Sequence, residues 1–532
     1  MKWKSKKRKD AELRVAGWDA LPSVDLLFSD KDAHTLRALR AQKPIPLDQR
    51  FSVDDVKDLQ KAIHGTVVLP TDLTYHRDRQ MTLLAVQEFP QLIVFCEIFE
   101  DARRCLEFAQ KYDLRVTIRS GGHSTAGFSV NSGMLIDTSR IKHVVVDPKE
   151  RRGIVGAGAT IGDLNAALKM YNLHVPSGGC GDVCIAGYMQ GGGYGFTARK
   201  FGMNCDNVHE IVVMLADRTI VVANSEKNAD LFWAVRGGTG GNFGILLQVT
   251  YNLHELGDVW GFGLRWSIDS RDGIKNAAAA LAEMQANYMQ TGAPPELGFM
   301  TFLAWQDETP CVVMRGMYLG PQRDGEFAID SLRRLGPVYT DFGVGRYADL
   351  DLKLIESPPG LPQVPDLARE EKQCGYIDKK LDAEDWAHII GVFLTSPNRS
   401  SLVCIEPYGG RINEIPATSN AFIHRKVDMN LFLDVFWMSE DQQRKDAIAF
   451  LDRFMAMMAP YFNDHSYQNY PRRTQQDFRR RYWGSSFERL LAVKLKYDKN
   501  SFFQYAQSVS RETPETHYDL PQLPEGIETE PY

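Results

Sequence analysis

Glycine is concentrated in four short tracts between residues 120 and 244, and this clustering restricts the possible folds more than any other feature of the sequence. The tracts are SGGH at 120–123, GAGATIG at 156–162, GGGYG at 191–195 and RGGTGGNFG at 236–244. One such tract alone is most often a tight turn, because glycine adopts backbone angles that other residues avoid. Four tracts in one region indicate backbone N–H groups that line an extended ligand carrying phosphates.

Two common phosphate-binding motifs do not account for these tracts. The tract at 156–162 follows a predicted strand and opens a predicted helix, as a dinucleotide fingerprint does. However, Ile161 stands where the third glycine of G-x-G-x-x-G belongs, and no acidic residue follows at a clear strand end about 20 residues on. The chain also lacks the G-x4-G-K-S/T motif of P-loop proteins.

The hydrophobic pattern predicts alternating strands and helices from about residue 90 to 255, as in an α/β or α+β domain. We expect strands within 90–99, 114–120, 133–139, 142–148 and 151–158, and helices within 100–113 and 160–172. Thr160 and Asp163 have the spacing of a capping box at the start of the second helix. Beyond residue 256, longer helices (273–289, 440–458) and strand-like runs (311–320, 401–410, 429–437) predict a sheet with helices over one face.

Five segments, taken in order, resemble a known family. They are RSGGHSTAGFS, LIDTSR, VGAGATIGDL, PSGGCGDVCIAGYMQGGGYGFTARKFGMNCDNV and DLFWAVRGGTGGNFGIL. Together they are similar to the FAD-binding domain of the vanillyl-alcohol oxidase / p-cresol methylhydroxylase (PCMH) superfamily, particularly its berberine-bridge-enzyme-like branch. The later run HSYQNYPRR…YWGSSFERLLAVKLKYDKNSFF resembles the closing segment of that branch.

The resemblance covers about residues 75–510 and implies an α+β fold with a two-lobed PCMH-type FAD-binding domain. A substrate domain with an antiparallel sheet backed by helices would follow, and the chain would then return to the first domain. We therefore expect a partly ordered N-terminal extension at 1–74, the FAD-binding domain at 75–255 and the substrate domain at 256–464. The returning segment would span 465–511, and a Pro- and Glu-rich disordered tail would span 512–532.

The resemblance also implies how FAD is held. Backbone N–H groups from Arg119, Ser120, Gly121, Gly122, His123 and Ser124 would wrap its pyrophosphate. His123 corresponds to the histidine that bonds the flavin 8α-methyl carbon, a role that suits the nucleophilic neutral imidazole. Cys180 corresponds to the cysteine that bonds flavin C6 as a thiolate, whereas Cys184 should be a neighbour facing the core. The other expected cofactor-binding residues are Gly179, Val183, Gly187, Gly192, Gly193, Gly195, Gly244, Ile245 and Asn469.

The residue that removes the substrate proton has three candidates. Tyr470, the second tyrosine of YQNY at 467–470, resembles the base of several family members. A tyrosinate requires a strongly lowered pKa, which the flavin edge or a cation such as Lys494 or Arg472 could provide. Tyr467 is a rival, and Glu406 corresponds to a glutamate that other members use; Asn469 would hydrogen-bond the flavin or fix the tyrosine.

The family resemblance implies an FAD-dependent oxidase that takes a hydride from an alcohol (a sugar or secondary-metabolite hydroxyl) or an amine. Val183 falls at the position that gates oxygen in this family, and a small β-branched residue there favours O₂ as acceptor and H₂O₂ as product. The alternative is a dehydrogenase with another electron acceptor; a third reading is an inactive flavin-binding module. Six aromatic residues beyond residue 256 have two interpretations: they stack on a sugar or planar substrate, or they belong to the apolar core. They are Trp260, Trp266, Trp305, Phe432, Phe436 and Trp437.

Composition limits the partners, metals and cellular location that we expect for this chain. With a net charge of −6 the chain gives no indication of a nucleic-acid partner, and it has no apolar run of the length that a membrane span needs. The basic run at residues 2–9 is interpreted as a solvated terminus. The eight cysteines are scattered through the chain, which argues against a disulfide framework, so we expect a cytoplasmic location. Cys180 and Cys184 have no second ligand pair that would complete a zinc site, so we expect no metal.

Overall fold

The structure, a computed structural model, describes residues 48–82, 85–86, 88–289, 292–306, 308–351, 368–438 and 441–511. The basic run at 2–9, most of the predicted N-terminal extension and the tail at 512–532 lie outside the described residues. None of the described helices is both long and apolar enough to span a membrane.

Two sheets of different pattern form the first half of the described chain. The four-stranded sheet has the order β1-β2-β4-β3 and consists of β1 (Thr66–Val68), β2 (Leu92–Phe95), β3 (Val116–Arg119) and β4 (Met134–Asp137). In it, β2 and β3 pair in parallel with β4, while β1 is antiparallel to β2. The five-stranded sheet is antiparallel, with the order β5-β6-β10-β8-β9, and consists of β5 (Val144–Asp147), β6 (Arg152–Gly156), β8 (Val208–Met214), β9 (Ile220–Asn224) and β10 (Ile245–Asn252). These two sheets are the two lobes that the sequence predicts.

A third, seven-stranded antiparallel sheet forms the second half. Its order is β15-β12-β14-β13-β17-β18-β16. The strands are β12 (Asp258–Ser267), β13 (Leu297–Gln306), β14 (Thr309–Tyr318), β15 (Tyr339–Arg346), β16 (Arg369–Ile377), β17 (Leu402–Pro407) and β18 (Met429–Trp437). A short pair, β7 (Leu173–His174) with β11 (His254–Glu255), lies apart.

Sixteen helices are described, besides short 3-10 turns at 204–207 and 484–486. They are α1 (Val53–Ala62), α2 (Tyr75–Asp78), α3 (Phe99–Lys111), α4 (Ile161–Lys169), α5 (Ile185–Gln190), α6 (Ala198–Phe201), α7 (Ala229–Val235), α8 (Arg271–Tyr288), α9 (Gln322–Ala328), α10 (Asp330–Arg333), α11 (Tyr347–Asp351), α12 (Ala383–Phe393), α13 (Arg411–Glu414), α14 (Asp441–Met458), α15 (Phe478–Trp483) and α16 (Phe487–Tyr497).

Two predicted helices form for the expected reasons. The apolar stripe of α3, from Ala102 through Leu106 to Ala109, is fully buried, as its spacing predicts. At the start of α4, the Asp163 N–H donates to Thr160 Oγ1, and the Thr160 N–H donates to the Asp163 carboxylate. The predicted capping box is therefore confirmed.

The seven-stranded sheet separates a core from a cavity. Helices α8, α12 and α14 pack on one face, and together with side chains such as Leu303 and Leu431 they form a buried apolar cluster. Because side chains alternate along a strand, neighbouring residues such as Phe302, Glu406 and Phe432 point from the opposite face, where they line a cavity. The predicted antiparallel sheet backed by helices is confirmed.

Candidate functional site

A cavity of about 820 Å³ lies between the open face of the seven-stranded sheet and the glycine-rich loops of the first two sheets. Its size falls within the range of about 300–1,000 Å³ that is usual for small-molecule sites. Residues 468–471 and 503–507 of the C-terminal segment complete part of the wall. Segments far apart in the chain thus meet at one site.

The loop after β3 supplies the first wall, and Ser120, Gly121, Gly122, His123 and Ser124 all line the cavity. Gly122 has a φ of +73°, which disfavours a side chain at this position. A Cβ at Gly121 would lie 3.0 Å from the backbone nitrogen of Cys184 and 3.2 Å from its Sγ. The two glycines therefore allow this loop to turn and to pack closely against the segment that carries Cys180.

The two cysteines of the C-x3-C pair face different surroundings. Cys180 is exposed, and it lines the cavity. Cys184 is buried, and its Sγ donates to the carbonyl of Gly158 at 3.3 Å; burial raises the pKa of its thiol to about 12. A thiolate is the reactive form of cysteine, so these surroundings favour Cys180 over Cys184 as a nucleophile.

The remaining predicted cofactor residues divide into two groups. Gly179, Val183, Gly187, Gly244 and Asn469 line the cavity. Arg119, Gly192, Gly193, Gly195 and Ile245 do not belong to the lining and lie behind it. The Arg119 guanidinium donates to the Asp137 carboxylate at 2.5 Å and to backbone carbonyls of Asp78 and Gln80. Thr239, Gly240 and Gly241, which the sequence analysis did not name, also line the cavity.

Two predicted glycines outside the lining are needed for close packing. A Cβ at Gly193 would come within 2.6 Å of the Asn204 side chain, and a Cβ at Gly195 would come within 1.9 Å of the Ser177 carbonyl. Their backbones lie too close to other chain segments for a side chain. The glycine tract at 191–195 is therefore structural here, whereas the loop at 239–244 contributes directly to the wall.

Glu406 and Tyr470 form a hydrogen-bonded pair on the cavity wall. Tyr470 Oη donates to Glu406 Oε1 at 2.6 Å, and Asn430 Nδ2 donates to Glu406 Oε2 at 2.9 Å. Glu406 is only 1 % exposed, and burial raises the pKa of its carboxyl group to about 7, although both hydrogen bonds and the charge of Lys372 act in the opposite direction. A carboxyl group with such a pKa can take up and release a proton near neutral pH.

The two cations that the sequence analysis named for Tyr470, Lys494 and Arg472, bind other groups. Burial, reinforced by the charge of Glu406, raises the pKa of Tyr470 well above its usual range, so its hydroxyl is protonated. Lys494 instead donates to Asp498, Asn242 and Phe503, and Arg472 pairs with Glu371 and Asp452. In this pair the carboxylate of Glu406 is the hydrogen-bond acceptor and the hydroxyl of Tyr470 is the donor.

Tyr467 lies behind the wall and supports it. Its Oη accepts the backbone N–H groups of Gly193 at 2.9 Å and Tyr194 at 3.2 Å, and burial raises the pKa of Tyr467. Asn469 Nδ2 donates to Tyr467 Oη at 3.1 Å and to the Tyr188 carbonyl at 2.9 Å. Through these contacts Tyr467 supports the backbone at Gly193 and Tyr194, and Asn469 is fixed on the wall.

A charged cluster that the sequence analysis missed lines the same wall. Lys372 Nζ lies 3.0 Å from Asp434 Oδ2 and 3.4 Å from Glu370 Oε1. It also lies 4.8 Å from the ring centroid of Tyr470. Burial lowers the pKa of Lys372, but the two carboxylates outweigh this effect and raise it above its usual value. The signal in the sequence is Asp434, a single acidic residue within the apolar strand β18.

The predicted aromatic residues separate by face of the sheet. Phe432 and Phe436 line the cavity, and Phe432 packs on Tyr470 with ring centroids 4.6 Å apart. Trp260, Trp266 and Trp437 are buried in the cluster between the sheet and its helices, and Trp305 packs at its edge. The tryptophans are therefore part of the core, and only the two phenylalanines of this set face the cavity.

The cavity suits a long ligand that needs backbone contacts. Eight glycines line it: Gly121, Gly122, Gly178, Gly179, Gly187, Gly240, Gly241 and Gly244. At Gly187 a Cβ would meet no atom within 4 Å, so the space in front of this helix residue is open to a ligand. Within the described residues, no group of three or more His, Cys, Asp or Glu side chains has the arrangement of a metal site.

Two family models match the chain. The model described as FAD binding domain matches residues 90–224, and the model described as Berberine and berberine like matches residues 466–510. The first range holds the loops with His123 and Cys180, and the second holds Tyr470 and Lys494. The matched ranges therefore contain part of the cavity wall, and the loop at 239–244 lies outside both of them.

Curated relatives match most of the chain. The uncharacterized FAD-linked oxidoreductase YgaK of Bacillus subtilis is 26% identical over 450 residues, covering 84% of this chain and 96% of the relative. Berberine bridge enzyme-like 14 of Arabidopsis thaliana is 27% identical over 458 residues, covering 79% of this chain and 84% of the relative.

Solved structures share the fold. BBE-like 1 of Physcomitrella patens superposes with a TM-score of 0.76 at 23% identity, covering 86% of this chain and 99% of that chain. A chitooligosaccharide oxidase superposes with a TM-score of 0.75 at 20% identity, with the same coverage. All three sheets thus belong to one known α+β architecture.

Proposed function

Because the chain is a berberine bridge enzyme-like FAD-dependent oxidoreductase of the vanillyl-alcohol oxidase superfamily, we propose that it is an oxidase carrying FAD on both His123 and Cys180. Its substrate would be an alcohol or an amine. The observation that carries the proposal is the Tyr470–Glu406 hydrogen bond of 2.6 Å on the wall of the glycine-lined cavity. It supplies a proton acceptor beside the space for the cofactor.

The cofactor would lie along the glycine-rich loops. Ser120–Ser124 and Thr239–Gly241 would bind it through backbone groups, and His123 and Cys180 would hold it from two sides. Bound FAD supplies the acceptor for the hydride that the substrate carbon gives up. Attachment at two points would hold the cofactor while the cavity admits a bulky substrate.

The chain's own residues would move the substrate proton. An ionised Glu406 takes the proton of Tyr470 Oη across the 2.6 Å hydrogen bond, and Tyr470 takes the hydroxyl or amine proton of the substrate in the same movement. Glu406 is buried, so water does not compete for its charge. Phe432 and Phe436 give the substrate an apolar surface, and the Glu370, Lys372 and Asp434 cluster offers polar contacts beyond it.

Acid precipitation tests the double attachment. We expect the pellets of the wild type and of His123→Ala, Cys180→Ala and Cys184→Ala to stay yellow, because each retains at least one link. Only the His123→Ala/Cys180→Ala double variant should release its flavin. Release of flavin from the wild type would contradict the proposal, and Cys184→Ala is the matched control for the cysteine.

Oxygen consumption tests the electron acceptor. Val183 lines the cavity beside Cys180, which supports the expectation that O₂ reaches the site. Screening alcohols and amines would identify a substrate that the protein oxidises. With that substrate, the oxidase should release one molecule of H₂O₂ for each molecule of product. Turnover with an artificial quinone acceptor but none with O₂ would identify a dehydrogenase instead.

A further inference from the structure

The carboxylate of Asp182 lies beside the imidazole of His123. The distance from Asp182 Oδ2 to His123 Nε2 is 3.2 Å, and both residues line the cavity. The hydrogen bond from His123 lowers the pKa of Asp182, so the carboxyl group is ionised and accepts a hydrogen bond from the Nε2–H group. The Asp182 side chain is 70% exposed, so packing alone does not require a carboxylate here.

Backbone hydrogen bonds fix Asp182 in place. The turn closes with the Val183 N–H donating to the Cys180 carbonyl at 3.3 Å. The first turn of α4 then holds both neighbours of Asp182, since the Ile161 N–H donates to the Val183 carbonyl at 2.9 Å and the Gly162 N–H donates to the Gly181 carbonyl at 2.8 Å. The carboxylate is therefore presented to the cavity from an anchored turn.

The loop that carries His123 is held in the same way. The Thr82 N–H donates to the Gly122 carbonyl at 3.2 Å, and the Phe128 N–H donates to Ser124 Oγ at 3.1 Å. Gly121 packs against Cys184, two residues after Asp182. Two anchored segments thus bring one carboxylate and one imidazole together before any ligand is bound.

We propose that Asp182 positions His123 for its attachment to FAD and accepts the proton that the imidazole loses in that reaction. This inference rests on the proposed function, since it concerns the link through His123. A carboxylate that accepts the Nε2–H selects the tautomer in which Nδ1 carries the lone pair. Nδ1 is then the ring nitrogen that forms the bond.

The reaction balances with O₂ as the oxidant. One C–H bond of the flavin 8α-methyl group and the Nε2–H bond of His123 break, and one bond forms between that carbon and Nδ1. Two protons and two electrons are left over. The protons are released to water, the electrons pass through the flavin ring system to O₂, and O₂ takes up two protons from the solvent to give H₂O₂. Asp182 takes the Nε2 proton and passes it to water, so that no positive charge stays on the ring.

The rate of attachment tests the proposal, and the Cys180→Ala background isolates the link through His123. The full chain is produced in a riboflavin-starved host and mixed with FAD, and acid-stable flavin is measured over time. Asp182→Asn keeps a hydrogen-bond acceptor but cannot take the proton, so we expect attachment at least about tenfold slower. Asp58→Asn is the matched control, because its side chain is 76% exposed on α1, and its rate should equal that of the parent.

Three further readouts separate a chemical role from a structural one. Non-covalent FAD affinity, measured by flavin fluorescence quenching, should be unchanged in Asp182→Asn. Its attachment rate should rise more steeply with pH than that of the parent, because hydroxide replaces the lost carboxylate. Asp182→Glu, which restores a carboxylate, should recover most of the rate.

Equal rates in the parent and in Asp182→Asn would overturn the inference, as would a rate in Asp182→Glu no higher than that in Asp182→Asn. Failure of the Cys180→Ala parent to form any acid-stable flavin would instead overturn the link through His123. The failure of this inference and that of the proposed function are therefore distinguishable.

Discussion

Glu406 shows at the scale of one residue how burial prepares a carboxyl group for proton transfer. The free energy of an ionised carboxylate rises when water is removed, and this effect exceeds the stabilisation from Tyr470, Asn430 and Lys372, so the pKa reaches about 7. An ordinary exposed glutamate is a much weaker base. Charge on Glu406 is therefore costly for folding and useful for catalysis.

We predict that Glu406→Gln lowers kcat/KM by about 10²- to 10⁴-fold, since general-base catalysis contributes about that much. In the wild type, kcat/KM should rise about tenfold per pH unit below pH 7 and level off above it, because the ionised form is the base. Tyr470→Phe removes the hydroxyl that passes the substrate proton to Glu406, so its loss should be of similar size. A profile without an inflection near neutral pH would contradict the role of Glu406.

The same substitution should stabilise the fold at high pH. The pKa of Glu406 is about 7 in the folded chain and about 4.3 in the unfolded chain. The native state therefore retains a proton that the unfolded state loses, and the stability contribution falls as pH rises from about 4.3 to 7 and is constant above. We expect Glu406→Gln to match the wild type at pH 4 and to exceed it by about 2–4 kcal/mol at pH 8. Urea unfolding at both pH values measures this difference.

At the scale of elements, α16 joins the C-terminal segment to the cofactor loops. Lys494 on this helix is 1% exposed, and its Nζ lies 2.6 Å from Asp498 Oδ2. It also donates to the carbonyls of Asn242 and Phe503. One buried ammonium group thus connects α16, the 239–244 loop and the segment around Phe503.

We predict that Lys494→Met destabilises the protein by about 3–5 kcal/mol, because it leaves the Asp498 carboxylate buried without its cation. Lys496→Met is the matched control on the same helix. Lys496 also pairs with an aspartate, Asp230, at 2.6 Å, but its side chain is 58% exposed, so its loss should destabilise the protein far less than the loss of Lys494. Similar losses in the two variants would contradict this stabilising role of Lys494.

At the scale of the whole molecule, the cavity is built from all three sheets and the C-terminal segment. Thr125 Oγ1 donates to the Pro471 carbonyl at 3.2 Å, and Thr239 Oγ1 and Tyr505 Oη are hydrogen-bonded at 2.7 Å. These bonds join the cofactor loops directly to the returning chain. A ligand that fills the cavity should therefore stabilise the whole fold.

We predict that the Tm of the wild type is independent of added FAD, because the two proposed covalent links would already hold the cofactor. In the His123→Ala/Cys180→Ala variant, the Tm should rise with FAD concentration. The expected gain is about 2.7 kcal/mol at a hundredfold excess over Kd. Differential scanning calorimetry with and without FAD tests this, and a double variant that does not respond to FAD would contradict the placement of the cofactor.

Sequence alone determined the elements whose causes are local. The stripe of α3 and the capping box of α4 depend on residues a few positions apart, so their pattern was sufficient to predict them. The glycine tracts and the family resemblance likewise indicated the cofactor, the α+β class and some of the cavity-lining residues, His123 and Cys180 among them. In each case the evidence was in contiguous residues.

The tertiary structure alone decided which side chains meet and which are charged. Glu406, Tyr470 and Lys372 lie on separate segments, and burial, which no local pattern encodes, sets the pKa of Glu406 and keeps Tyr470 protonated. The cations expected for Tyr470, Lys494 and Arg472, instead pair with nearer acids. Long-range packing determines solvent access and the distances between charges, and those two quantities decide the chemistry of the site.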